Sequence, residues 1–224
     1  MNKDKIITID GPAGSGKSST AQRVAKELGY TYIDSGAMYR AVTLKVLESD
    51  IDPDSKEKVT AIAENADIRL LTDNGSNLIF LDGKDVTSAI REPRISKAIS
   101  KVAANHNVRK VLAHKQKELG QKGGIVAEGR DMGTVVFPKA DLKIYMTATI
   151  RARAERRFKQ LLESGIKVDL DELISEIRER DRLDKTRKHS PLRRTEDSII
   201  LDTSNMSLGD QVNWIVDKAK ALGA

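Results

Sequence analysis

The chain has 224 residues, of which 39% are apolar and 4% aromatic, with no cysteine and a formal net charge of +6. That length sets one domain as the default and that composition supports a mostly aliphatic core, while the missing cysteines exclude a disulfide framework and a thiolate metal site. No apolar run reaches the roughly eighteen residues of a membrane span, and MNKDKIITID has no apolar leader segment, so a soluble cytoplasmic protein is expected.

KIITID (5–10) is a short β-branched run, expected as a buried strand. GPAGSGKSS follows, and a helical pattern then runs to Leu28, with Gly29 as its stop. TYID (31–34) is a second short strand, and 37–49 and 55–66 are helices. Residues 67–90 alternate apolar and polar side chains around Asn74-Gly75 and Asp82-Gly83, dipeptides that favour tight hairpins, so a small antiparallel sheet is expected there. Helices resume from Glu92 to Leu119. GGIVAEG (123–129) and DLKIYMTA (141–148) read as buried strands, 150–164 and 169–183 as charged helices. SIILDTS (198–204) is a further buried strand, and 207–222 a closing amphipathic helix. Five short buried strands separated by helices predict an α/β fold with a parallel sheet covered on both faces.

The charge is unevenly placed. Residues 151–195 hold fourteen Lys/Arg against nine Asp/Glu, so nearly all of the excess sits in that segment. Its densest part is RERDRLDKTRKHSPLRR (178–194). Such a stretch can be a nucleic-acid patch, a solvated helix face, or a set of arginines held for phosphate chemistry.

GPAGSGKS (11–18) decides among these, because it fits G-x-x-x-x-G-K-[ST] between a strand and a helix. Glycines let the backbone curl so that its N–H groups line an anion nest at a helix N-terminus. Lys17 reaches the β- and γ-phosphates, and the Ser18 hydroxyl can ligate Mg²⁺. Gly11, Pro12, Ala13, Gly14, Ser15, Gly16, Lys17, Ser18 and Ser19 therefore form the candidate ATP site. The D-x-x-G and N-K-x-D signatures of GTPases are absent. A motor or helicase would be longer, with a clear strand ending in an acid that faces Mg²⁺; Glu128 and Asp202 are only weak candidates. A small P-loop kinase for a metabolite fits better.

Asp34 and Ser35 follow the second strand where a helix N-cap belongs, so capping alone could explain one of them. Arg40 lies too near the start of its helix to serve the C-terminal dipole, and its place suits an acceptor phosphate or plain solvent. In EGRDMGTVVFP (128–138), Arg130 and Asp131 set a donor fork beside an acceptor, in a loop at the carboxyl end of a strand, where open α/β sheets bind ligands. An ordinary surface turn would look the same.

Together, DGPAGSGKS, YIDSGAMYRA, EGRDMGTVVFP and RERDRLDKTR resemble the bacterial cytidylate (CMP/dCMP) kinase family, nucleoside monophosphate kinases of the P-loop class. The motifs run from residue 10 to 187. The phosphate loop is shared by many families, whereas the DSGAMYR and GRDMGT pair is much more specific, and the insertion after residue 65 strengthens the match. The resemblance implies one P-loop kinase domain over 1–224. Its core would lie at about 1–35, 105–150 and 195–224, with an acceptor-binding insertion at about 36–104 and a lid at about 151–194. It implies transfer from ATP to CMP or dCMP with Mg²⁺, with Lys17, Arg130 and Arg187 catalytic. Asp34, Ser35, Tyr39 and Arg40 would line the CMP side, with Arg40 on its phosphate. Ser100, Arg109 and Asp131 would read the cytosine edge. Arg130 and Arg187 would hold the acceptor phosphate and the transferred group, and Arg180 and Asp184 would meet the sugar hydroxyls.

Arg153 and Arg157, four apart on one helix, share a face and could grip nucleotide phosphates or stack on adenine. The alternative is a salt-bridged exposed helix with Arg151–Glu155 as an i,i+4 pair. The three histidines, 106, 114 and 189, are expected at the surface. An acceptor phosphate is already anionic near neutral pH, so no general base is expected. A monomer acting on small molecules is expected, without nucleic acid or membrane. Two other functions stay open. One is a kinase for another small acceptor such as AMP, UMP or a sugar acid. The other is ATP-dependent nucleic-acid binding, against which count the interleaved acids and the lack of stacking aromatics other than Phe158 in the basic segment.

Overall fold

The computed structural model describes residues 4–73, 76–163 and 165–224. The first strand, β1 (Ile6–Asp10), is buried from Ile7 onward, which is why its sequence lacks alternation. The chain continues through α1 (Lys17–Leu28), β2 (Thr31–Asp34), α2 (Ser35–Glu48) and α3 (Lys56–Asn65). Strands β3 (Ile68–Asp73), β4 (Ser76–Leu81) and β5 (Lys84–Asp85) precede α4 (Pro93–Ala104) and α5 (His106–Leu119). Then follow β6 (Ile125–Gly129), β7 (Leu142–Thr147), α6 (Ile150–Glu163), α7 (Leu170–Thr186), β8 (Ile199–Asp202) and α8 (Leu208–Ala221). The larger sheet has the order β2-β6-β1-β7-β8 and the smaller β3-β4-β5. β1 pairs in parallel with β6 on one side and β7 on the other, and β7 pairs in parallel with β8. This is the helix-flanked parallel sheet, with a small antiparallel sheet, that the strand and turn pattern predicts.

The chain divides into two compact units, Met1–Tyr30 with Gly123–Ala224, and Thr31–Lys122. In the first, aliphatic residues of β1, β6 and β7, among them Ile7, Ile9, Val126 and Ile144, are buried with Val212 and Ile215 of α8. Helix α1 ends at Gly29, whose left-handed φ of 66° no β-branched residue would adopt at low cost. Helix α8 opens with a capping box, Ser207 accepting from Asp210 N while Asp210 accepts from Ser207 N. Helices α6 and α7 pack on each other through Ala154, Leu173 and Ile177, flanked by Phe158, Leu161 and Ile174.

In the second unit, α2 lies between two apolar clusters. Met38, Tyr39, Val42 and Val46 pack with α3, α4 and α5, while Ala37, Ala41 and Leu44 pack with β4, Val86, Ile90 and Ile95. A helix apolar on both sides is buried on both sides. β4 turns into β5 at Asp82-Gly83, both left-handed at φ 50° and 79°, as a two-residue hairpin requires. The Asn74-Gly75 turn lies outside the described residues.

Three local departures from the sequence expectation have identifiable causes. Helix α2 starts at Ser35, two residues early, because Asp34 caps it by accepting from Ala37 N at 2.8 Å. The helical stretch from Glu92 breaks at Asn105, whose side chain caps α5 by accepting from Asn107 N. Residues Met132–Val136, expected as loop, form one π-helical turn.

Candidate active site

The phosphate loop joins β1 to α1. Gly16 stands at φ 93°, and a Cβ at Gly11 would lie 2.0 Å from the carbonyl oxygen of Met146, so neither position admits a side chain. Lys17 opens α1 and is 5% exposed. Its ammonium donates to the Pro12 carbonyl at 2.6 Å and to Ser15 Oγ at 3.4 Å, and Ser15 Oγ itself donates to Pro12 O at 3.0 Å. Burial, seconded by the charge of Arg130, lowers the Lys17 pKa to about 7, against the pull of Glu128 and Asp10. Polyphosphate at this position would restore the full cation.

Ser18 Oγ donates to Glu128 Oε1 at 2.5 Å. The penultimate residue of β6 therefore brings a carboxylate to the hydroxyl that the motif assigns to Mg²⁺, and Glu128, a weak candidate on sequence, becomes the stronger of the two acids. A hydroxyl and one carboxylate are hard oxygen donors, the partial shell Mg²⁺ takes when phosphates and water complete it, so the residues present fit that ion. Among the described residues no group of three or more His, Asp or Glu could hold a metal alone.

Beyond β6, Arg130 Nε donates to Asp184 Oδ2 at 2.8 Å, and Arg187 Nη1 lies 3.5 Å from Asp184 Oδ1. Arg187 Nε also donates to the Ser190 carbonyl at 2.5 Å, which fixes it just past the end of α7. Burial works to raise the Asp184 pKa, but Arg130, Arg180 and Arg187 together hold it below the usual carboxylate value. Burial likewise disfavours charge on Arg130, and Asp184 more than offsets it. The first unit thus brings together Lys17, Arg130, Arg180, Asp184 and Arg187, five of the residues expected at the site.

Arg153 takes a different place from the one its spacing predicts. It is 3% exposed, and its guanidinium donates from Nη1 and Nη2 to Asp181 at 3.0 and 2.6 Å. It also donates to the carbonyls of Ala148 at 3.1 Å and of Ala13, in the phosphate loop, at 3.0 Å. The group expected to face ATP is engaged within the protein, and it braces the loop instead. Arg157, one turn on, is exposed. Arg156 between them bonds Thr203, whose hydroxyl in turn donates to Ser15 O at 2.9 Å. The Arg151–Glu155 pair of the alternative reading is present at 2.9 Å.

In the second unit, Arg109 is buried, donates to the Ala103 carbonyl at 3.1 Å and lies over the Tyr39 ring, 5.2 Å from its centroid. Arg40, one residue on, donates to Ser96 Oγ at 3.2 Å and to the Ile90 carbonyl at 3.4 Å. Ser35 is buried beside the capping Asp34, and Ser100 is exposed on α4. Tyr39 and Arg109, far apart in sequence, are brought into one contact. His114 is exposed, as expected, while His106 and His189 are half-buried.

Sequence reasoning missed Asp10, a buried carboxylate that accepts from the backbone N–H of Met132 at 2.9 Å and of Gly133 at 2.7 Å. Burial raises its pKa to about 6, opposed by those two amides and by Lys17. An acid ending an otherwise apolar buried strand was the available signal. Asp181, partner to Arg153, was hidden among the other charges of α7.

The chain matches the family model described as cytidylate kinase over residues 7–221. A relative from Caldicellulosiruptor bescii named cytidylate kinase is 44% identical over 211 residues, covering 94% of this chain and 93% of its own. One of the same name from Bacillus subtilis is 42% identical over 217 residues, covering 97% of each. Among solved structures, an uncharacterized protein from Eubacterium ventriosum shares the fold at TM-score 0.52 and 11% identity, over 97% of this chain and 99% of that one.

Proposed function

The chain belongs to the cytidylate kinase family, and from that premise we propose that it transfers the γ-phosphoryl group of ATP to CMP and dCMP, giving ADP with CDP or dCDP. The observation that supports this most is the interlocked set around Asp184. Arg130 and Arg187 are held on one half-buried carboxylate, within the same unit as Lys17 and the phosphate loop. An enzyme that moves a phosphoryl group from one phosphate to another needs cations at both ends of the transfer, and little covalent chemistry.

We assign the ATP side to residues 11–19, with Arg157 offering an exposed guanidinium and Arg153 bracing the loop through Ala13. Ser18 and Glu128 would hold Mg²⁺, which supplies neutralisation of phosphate charge when bound. On the acceptor, Arg40 and Arg130 take the phosphate, and Arg180 and Asp184 the sugar hydroxyls. Asp34, Ser35 and Tyr39 line the nucleotide, and Ser100, Arg109 and Asp131 read cytosine, whose amino group donates while its ring nitrogen and carbonyl accept. An acceptor phosphate oxygen attacks the γ-phosphorus. That P–O bond forms as the bond to the β–γ bridging oxygen breaks, and ADP leaves with the electron pair. Lys17, Arg130 and Arg187 stabilise the charge on the transferring group. Arg130, paired with Asp184 in the structure, exchanges that partner for the acceptor phosphate, which releases Asp184 for a hydroxyl donor. Among the described residues no helix is long and apolar enough to cross a membrane. We infer a cytoplasmic monomer working on small molecules.

The test is ADP release with CMP, dCMP, UMP, AMP and GMP as acceptors at equal concentration. CMP and dCMP should give the largest kcat/KM; preference for a purine nucleotide or a sugar acid would sink the assignment.

A further inference from the structure

We propose that Asp10 is a positioning residue for phosphoryl transfer, a buried carboxylate that sets the Arg130–Asp131 segment against the phosphate loop. It rests on the CMP kinase reading above. Asp10 is the last residue of β1 and faces Gly129, the last of β6, across the parallel ladder. The phosphate loop leaves the sheet at the next residue of one strand, and the segment bearing Arg130 leaves at the next residue of the other. One side chain therefore stands where both loops begin.

Its two bonds fall on the first N–H groups of the Met132–Val136 turn, groups that a helical turn cannot satisfy from within. Asp131 occupies the capping position, yet its side chain makes no cap bond, and Asp10 supplies the acceptors from another strand. This is the physical cause of the unexpected turn: one carboxylate fixes two successive amides, and so the direction in which Arg130 and Asp131 leave the sheet. The approach is close. A Cβ on Gly133 would lie 3.4 Å from Asp10 Oδ2 and 3.1 Å from Thr8 Oγ1. A buried charge bonded to two neutral amides, with Lys17 and Arg130 as cations beyond bonding distance, is expensive as a purely structural device. An amide in its place could accept from one N–H but would set a donor against the other.

The experiment compares wild type, Asp10→Asn, Arg130→Ala and the double variant, with amide exchange measured at Met132 and Gly133. Asp10→Asn should lower kcat and raise the KM for CMP, together about 10- to 100-fold in kcat/KM, while affinity for a non-hydrolysable ATP analogue stays within about twofold. The exchange of both amides should accelerate. In the Arg130→Ala background the same substitution should cost at least about threefold less in kcat/KM than in wild type, because part of its route runs through Arg130 and only the part through Asp131 remains. A full multiplicative effect in that background, unchanged exchange, or parallel loss of ATP and CMP binding would overturn the proposal. If Asp10→Asn does not fold, Gly133→Ala keeps the carboxylate and crowds the same contact, and an unaltered KM for CMP and kcat there would overturn it too. A wild-type protein that releases no ADP with CMP would defeat the functional reading and this one with it; wild-type activity with an indifferent Asp10→Asn would defeat only this one.

Discussion

The two units hold their site residues by different means. In the first, Lys17, Arg130, Asp184 and Arg153 are fixed by other polar groups: carbonyls of the phosphate loop, paired carboxylates, and the Thr203–Ser15 link. In the second, Tyr39 and Arg40 ride on α2, which is wedged between two aliphatic clusters. A polar interlock specifies direction as well as position, since each bond has a preferred angle and an unmet group is penalised. Apolar packing specifies position and tolerates small rotations. The unit to which we assign the phosphoryl chemistry uses the stricter device.

The largest expected effect breaks the first unit at its centre. Lys17→Ala should reduce turnover by about three orders of magnitude while melting temperature changes little, because it removes charge stabilisation and also relieves a buried cation. Activity above about a tenth of wild type would remove Lys17 from the site.

A matched pair of substitutions tests the comparison itself. Arg153→Ala breaks a buried ion pair and Leu44→Ala opens a cavity in the second unit, each costing about 3 kcal/mol by denaturant unfolding. Arg153 joins the phosphate loop to α7, which carries Arg180 and Asp184, so its loss should lower kcat at least about tenfold further than Leu44→Ala does. Equal losses of turnover at equal losses of stability would erase the distinction drawn between the units.

The smallest effect is a change of slope with pH. The depressed pKa of Asp184 contributes stability that is present above the ordinary carboxylate value of 3.8 and is lost as pH falls through the lower folded-state value. Asp184→Asn should therefore flatten the acid limb of a melting-temperature profile, and an unchanged limb would show that the carboxylate is not held by its arginines.

What the sequence disclosed follows the same division. Motifs whose parts are local were legible: the phosphate loop, the Asp34 cap and the Asp82-Gly83 hairpin each act within a few residues of themselves. Strands β1, β6 and β7 were legible because burial on both faces removes polar residues from the run, whereas β8, expected as a buried strand, lies at the end of the sheet and leaves Ile199 and Ile200 exposed. The partners of the interlock were not. Asp10 meets Met132 across 122 residues, and Arg153 meets Asp181 across 28. Spacing put Arg153 and Arg157 on one helix face, but burial, which spacing does not report, gave them different surroundings. The basic segment 178–194, suggestive of nucleic acid by charge alone, holds in Asp184 the acid on which two of the site's arginines converge.

The most direct test of the functional claim is phosphorus NMR of the purified protein with ATP, Mg²⁺ and CMP. CDP and ADP should appear in equal amounts as CMP and ATP decline. ADP with inorganic phosphate and unconsumed CMP would contradict it.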